Sequence, residues 1–317
     1  MRNILSTIAI LFIAVTLYGQ TNEQKWGLSR ISVAHMRTKP GHSSELSSQV
    51  IMGMPIKLIE KHGDWWLCET PDGYNGYIIE NSLSMMDSIK INTWRESNRV
   101  VVSSIHQTYI YKSPKATSYK DIISDVVNGA ILEGTKSLEK YTKVVLPDGR
   151  VGYINSNDIT PIAKWASQDF NSDCILEMAY SMMGLPYLWG GTSTKSLDCS
   201  GLVKVCYLAN GIILRRDAYQ QAETGNRIEP SNWQTCEAGD LLFFGNKKTK
   251  RVTHVAIYNE KGLYIHASGR VKENSIDPKS SVYLTTPFFH ATRIKNSIGS
   301  DGITQAINHP WYFNIKQ

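Results

Sequence analysis

The chain has 317 residues, 42% of them hydrophobic and 20% charged, and its 34 basic and 28 acidic residues leave a formal net charge of +6. That length suits two or three domains, and the ordinary composition without a low-complexity tract excludes a disordered chain. The basic residues are scattered, with no run of Lys and Arg interleaved with aromatics, which excludes nucleic acid as the expected partner and leaves the charge excess to a solvated surface.

At the start, Met1-Arg2-Asn3, the apolar stretch Ile4 to Leu17 and Tyr18-Gly19-Gln20 have the layout of a secretory signal peptide over residues 1–19. The stretch is shorter than the roughly 20 residues a helix needs to cross a bilayer, and no later segment approaches that length. No cysteine lies at the cleavage point, so the expected mature protein is soluble, periplasmic or secreted, with no stable membrane anchor. Five cysteines, Cys68, Cys174, Cys199, Cys206 and Cys236, are an odd number with no C-x-x-C pair. They support neither a disulfide scaffold nor a zinc cluster, and at least one thiol is left free.

Pro71-Asp72-Gly73-Tyr74-Asn75-Gly76-Tyr77-Ile78 recurs as Pro147-Asp148-Gly149-Arg150-Val151-Gly152-Tyr153-Ile154, and a β-rich run precedes each copy. Each Pro-Asp-Gly supplies turn chemistry. The repeat outlines two units, near 27–86 and 100–160, whose size suits small β-barrels. Gly63-Asp64-Trp65-Trp66 followed by Pro71-Asp72-Gly73-Tyr74 resembles the bacterial SH3 domains of cell-wall enzymes, closely in the first unit and loosely in the second.

After residue 165 the pattern turns helical. Asn171-Ser172-Asp173 is a helix start, Ile175, Met178, Ala179 and Met182 recur at helical spacing, and the helix should end before Gly184-Leu185-Pro186. Asp240 to Phe244, Val252 to Tyr258, Leu263 to Ala267 and His290 to Ile294 read as strands. Helices followed by an antiparallel sheet predict an α+β fold over 165–296, with a tail over 297–317 of no assigned role.

The chemistry concentrates at Leu197-Asp198-Cys199-Ser200-Gly201, which leads into a helix-like run. Asp198 can cap that helix, which puts Cys199 in its first turn, where the dipole and unpaired N–H groups favour a thiolate and can hold an oxyanion. Cys206, two turns along the same face, reads as a buried structural residue. His254 and His266 lie on two strand-like segments joined by Glu260-Lys261-Gly262. A three-residue loop with Gly262 in the left-handed region puts the two rings on one face, opposite or diagonal to each other. Nucleophile, base and a group that fixes the base then follow in the order used by papain-like enzymes.

With Pro186-Tyr187-Leu188-Trp189-Gly190-Gly191, Arg216-Asp217 with Gln220, Gly239-Asp240-Leu241-Leu242-Phe243-Phe244, His254-Val255-Ala256-Ile257-Tyr258 and Ile265-His266-Ala267, the segment resembles the NlpC-type cell-wall peptidases, a papain-like family. The resemblance implies Cys199 as nucleophile, His254 as base and His266 as the residue that orients it, with no metal or organic cofactor. Counting both SH3-like units, the chain is similar to the γ-D-glutamyl-L-diamino acid endopeptidases. In these the first unit narrows the cleft to peptides with a free N-terminal L-alanine.

That similarity implies a murein-peptide substrate and a monomer, with Asp217 as the clamp for the ammonium and Glu45 and Tyr74 as further candidates. A salt bridge to Arg215 or Arg216 is the alternative for Asp217, and ordinary surface or core roles for Glu45 and Tyr74. Tyr187 is placed to donate near the oxyanion and Trp189 to line the cleft, with simple packing the alternative; Ser200 either touches substrate or caps the helix. Arg150 stands where the first unit has Tyr74, which restricts the site to the first unit. Two other readings are an endopeptidase gripping intact wall through its SH3-like units and a non-catalytic wall-binding protein.

Overall fold

The structure is a computed structural model and describes residues 25–104, 106–116 and 118–314; the stretch 1–19, expected to be a signal peptide, lies outside them. Strands β1 (Trp26–Ser29), β2 (Val33–Arg37), β3 (Leu46–Ile51), β4 (Pro55–His62), β5 (Trp65–Glu69), β6 (Asn75–Ile79) and β7 (Leu83–Met86) form an antiparallel sheet in the order β3-β2-β6-β5-β4-β1-β7. Helix α1 (Ser88–Glu96) follows. Then β8 (Arg99–Val102), β9 (Gln107–Tyr111), β10 (Ile122–Val127), β11 (Ile131–Ser137), β12 (Tyr141–Val145), β13 (Val151–Asn155) and β14 (Ile159–Pro161) repeat that order strand for strand, as β10-β9-β13-β12-β11-β8-β14. The sequence repeat is therefore a repeat of topology, and both Pro-Asp-Gly turns carry a left-handed glycine, Gly73 (φ +75°) and Gly149 (φ +84°).

Neither sheet is the closed barrel the size of the units suggested. Each hydrogen-bonded order is open, and in the first the edge strand β3 has another use: the Gln49 N–H on it donates to Thr192 Oγ1 and its Oε1 accepts from the Thr192 N–H, both at 2.9 Å. Pairing with the C-terminal unit covers that edge.

The C-terminal unit contains α2 (Ile162–Ala166), α3 (Ser172–Ser181), β15 (Thr192–Ser193), β16 (Ser196–Leu197), α4 (Cys199–Ala209), β17 (Ile212–Leu214) and α5 (Ala218–Gln221). Strands β18 (Asn226–Ile228), β19 (Leu241–Asn246), β20 (Arg251–Tyr258), β21 (Leu263–Ser268), β22 (Arg270–Ser275) and β23 (Phe288–Arg293) then form an antiparallel sheet ordered β18-β23-β19-β20-β21-β22. Asn171 caps α3 through Oδ1, as its sequence predicts, and the helix stops before left-handed Gly184. Helix α4 is apolar almost all round and buried, packed between α3 and β20, which places its first turn against the strand that carries His254.

The described part of the tail, up to residue 314, is structured. Strand β24 (Ile303–Gln305) pairs with β17, and Tyr312 is buried edge-on to Trp165 at 6.1 Å, while Trp311 meets Trp26 at 5.1 Å. These contacts tie the C-terminus to the first sheet, α1 and α2 in one apolar cluster. Tyr312→Ala should cost roughly 3 kcal/mol through the cavity it leaves, read as a lower urea midpoint with an unchanged slope; an unchanged midpoint would show that the tail contributes no stability.

Candidate active site

Asp198, extended at φ −95° and ψ −174°, precedes α4 and its Oδ1 accepts the Gly201 N–H at 2.7 Å, so Cys199 opens the helix as expected. Glycine is required at 201: a Cβ there would lie 1.9 Å from the Gly191 carbonyl oxygen. The Asp198 carboxylate does more than cap. Arg216, 2% exposed, donates to its Oδ2 at 2.6 Å and Oδ1 at 3.3 Å, the Gly190 N–H reaches Oδ2 at 3.0 Å, and the Ser200 hydroxyl reaches Oδ1 at 3.2 Å. Arg216 also donates to Ser200 Oγ at 2.9 Å and to Ser48 Oγ of the first sheet at 3.2 Å. The first turn of α4 is thus held by a charge-assisted network that spans two units.

Cys199 is 7% exposed yet lines a cleft of about 370 Å³. Burial first, and the Asp198 carboxylate second, push its thiol up to about 11, although the Val255 and Ser200 amides and Arg216 pull the other way. Desolvation thus opposes the helix terminus at this sulfur, and the thiolate that the terminus favours is disfavoured in the free site.

The hairpin has its three-residue loop and a left-handed Gly262 (φ +83°), and the pairs Ile257 to Ile265 and Tyr258 to Tyr264 put His254 and His266 diagonally on one face. His254 Nε2 lies 2.7 Å from His266 Nδ1, and His266 Nε2 lies 2.9 Å from Asn274 Oδ1. Asn274 spends its amide N–H on the Val282 carbonyl at 2.9 Å, so its Oδ1 is the acceptor. Its proton donor must be His266 Nε2–H, which makes His266 Nδ1 an acceptor and assigns the shared proton to His254 Nε2. The lone pair of His254 is then on Nδ1, and the next residue, Val255, sends its N–H to the Cys199 sulfur. Asn274 went unseen in the sequence, because Arg270-Val271-Lys272-Glu273-Asn274-Ser275 is too polar to read as a strand and only its pairing with β21 makes it one.

Burial holds His254 down to about 3 and His266 down to about 4. The unfolded chain protonates these rings near 6.5, so between pH 6.5 and 3 it binds more protons than the folded chain. Their contribution is complete above pH 6.5 and falls on acidification, by up to about 1.4 kcal/mol per ring and pH unit. A urea midpoint lower at pH 5 than at pH 7 is the expected result, and a His266→Ala protein should show a smaller difference; equal midpoints for the unsubstituted protein would contradict the burial account.

All six substrate-site candidates, Tyr187, Trp189, Ser200, Asp217, Glu45 and Tyr74, line the same cleft as Cys199. Tyr187 is half-buried, with its hydroxyl pushed upward by burial and then by Cys199 and Asp198. Trp189 is 62% exposed at the rim, and the Ser200 hydroxyl is engaged in the Asp198–Arg216 network. Asp217 opens α5, and burial pushes its carboxyl up; Arg216 reaches it only at 3.9 Å, while Arg215 pairs with Asp301 at 2.7 Å instead. Tyr74 is raised by burial and by Asp217, and it bonds Ser47. Glu45 is exposed, just ahead of β3.

Residues 184–293 match the model of the NlpC/P60 family, and residues 36–83 that of the bacterial dipeptidyl-peptidase SH3 domain. A dipeptidyl-peptidase 6 from Lysinibacillus sphaericus is 33% identical over 79% of this chain and 92% of its own length. A gamma-D-glutamyl-L-lysine dipeptidyl-peptidase from Bacillus cereus is 29% identical over 78% of this chain and 73% of its own. The crystal structure of an NlpC/P60 family protein from Bacillus cereus shares the fold at 22% identity, with a TM-score of 0.71 over 84% of this chain and 99% of that one. With its catalytic-unit match and a relative aligned along nearly its whole length, the chain belongs to the NlpC/P60 family of cysteine peptidases.

Proposed function

We propose that this peptidase hydrolyses the bond between D-γ-glutamate and the diamino acid in released murein peptides with a free N-terminal L-alanine, a recycling activity outside the cytoplasm. The observation that carries the reading is the composition of the cleft. Cys199 shares it with a half-desolvated carboxylate, Asp217, whose nearest cation stands 3.9 Å away, and with Glu45 and Tyr74 from the first sheet. A carboxylate so placed gains from an incoming ammonium group.

His254 Nδ1 takes the thiol proton as Cys199 attacks the γ-glutamyl carbonyl, and returns it to the leaving amine. His266 and Asn274 hold the tautomer that makes this possible. The Cys199 amide and the Tyr187 hydroxyl hold the oxyanion, and water then releases the acyl group from the sulfur. In this reading residues 27–86 and 100–160 are SH3-like domains, 165–296 is the catalytic domain, and only the first SH3-like domain borders the site.

Tripeptide L-Ala-γ-D-Glu-diaminopimelate, its N-acetylated form and whole sacculi, digested side by side, test the proposal. Rapid cleavage of the free tripeptide alone is the expected result, whereas release from sacculi without turnover of the free tripeptide would favour a wall-trimming enzyme and overturn it. Asp217→Asn should lower kcat/KM for the free tripeptide by about tenfold to a hundredfold, the effect of one charge-assisted contact, and leave the residual rate on the acetylated peptide unchanged. Equal losses on both peptides would remove Asp217 from the clamp.

A further inference from the structure

We infer that the buried ion pair between Asp72 and Lys204 is the positioning device that enforces the free N-terminus, by fixing the turn that carries Tyr74 against the catalytic helix. The inference rests on the cleavage reading above.

Asp72 and Tyr74 belong to one turn, two residues apart. The Asp72 side chain is 7% exposed and accepts from Lys204 Nζ and, at 2.7 Å, from Thr70 Oγ1. Lys204 follows Cys199 on α4, and its ammonium also donates to the Leu214 carbonyl at 3.2 Å. The helix that presents the sulfur therefore also grips the turn that presents Tyr74. Both side chains are largely withdrawn from solvent, Lys204 at 17% and Asp72 at 7% exposure, which strengthens the attraction between them.

The second copy of the turn supplies the contrast. There Asp148 is held by its own neighbour Arg150, Nε to Oδ2 at 2.8 Å, with Arg30 at 3.5 Å. Tyr74 occupies the position of Arg150 in the first copy, so Asp72 has no cation in its own turn and takes one from α4 instead. One sequence difference thus puts an aromatic group into the cleft and moves the anchoring charge onto the catalytic helix. One further contact fixes the start of the turn: His309 Nε2 donates to the Pro71 carbonyl at 2.8 Å.

Lys204→Met keeps the stem and removes the charge, leaving Asp72 buried without its partner; the turn then opens to hydrate the carboxylate and carries Tyr74 away. The readout is the ratio of kcat/KM for the free tripeptide to that for its N-acetylated form. We expect Lys204→Met to lower this ratio at least tenfold, and the neutral pair Lys204→Met with Asp72→Asn to recover most of it. Asp72→Asn alone keeps an acceptor for Lys204 and should show a smaller fall in the same direction, so the test stands even where Lys204→Met folds poorly. Single variants that retain the unsubstituted ratio, or lose both activities in equal proportion, would overturn the role of the pair. An unsubstituted enzyme that cuts both peptides equally would reject the N-terminus reading together with this one.

Discussion

Cys199→Ala is expected to lower kcat for the free tripeptide by about 10³-fold or more, the cost of removing a covalent nucleophile, while the protein still binds the peptide. The sulfur sits at the start of a buried helix, faces the cleft and receives the Val255 amide from the strand that carries His254. Cys68 and Cys206 are fully buried, and Cys174 and Cys236 lie outside the cleft lining, so no other thiol can take over. Because burial pushes the Cys199 thiol up, the sulfur depends on a base to take its proton as it attacks. His254→Ala should therefore be nearly as damaging as loss of the sulfur. Product release followed by mass spectrometry checks both, and a Cys199→Ala protein that still cleaves would remove the sulfur from the reaction.

The largest stability loss is expected from Asp198→Ala. This change deletes the α4 cap and strands Arg216, 2% exposed, without its carboxylate. Breaking a buried pair from one side costs about 3–5 kcal/mol, because the remaining charge keeps its desolvation penalty, and the lost cap adds about 1 kcal/mol. Asp198→Asn keeps one acceptor oxygen for the Gly201 cap but turns its amide NH2 toward the Arg216 and Gly190 donors, so it should restore the cap and little of the ion pair. Denaturant unfolding of the two variants separates the contributions; a loss below about 1 kcal/mol for Asp198→Ala would mean that the network is no stronger than a surface ion pair.

Local signals in the chain carried much of this architecture. Asp198-Cys199-Ser200-Gly201 announces a capped helix with a thiol in its first turn, and Glu260-Lys261-Gly262 fixes the parity that brings two histidines to one face. Both are short-range constraints of backbone geometry, which a single sequence expresses. The repeated Pro-Asp-Gly turns likewise foretold two sheets of one topology.

What escaped was long-range. Asn274 sits on a strand whose residues are mostly polar, so nothing in its own segment reveals the pairing that brings it to His266. Lys204 and Asp72 are ordinary surface types, and burial arises only when the first sheet docks on α4. The setting of the thiol is long-range too: the helix terminus is visible in sequence, but the desolvation that opposes it arises only when α4 is buried in the fold. The tail reads as a leftover, yet β24 and Tyr312 close the core beneath α2.

Transfer of the γ-glutamyl acyl group from the diamino acid's nitrogen to one sulfur, and from there to water, can be tested by acid-quenching the enzyme within its first turnovers of the tripeptide and mapping the modified peptide by mass spectrometry. An L-Ala-γ-D-Glu acyl group is expected on Cys199, appearing before free diamino acid reaches its steady rate and vanishing as substrate is exhausted. Steady turnover with Cys199 unmodified at every quench time, or with the acyl group on another side chain, would contradict it.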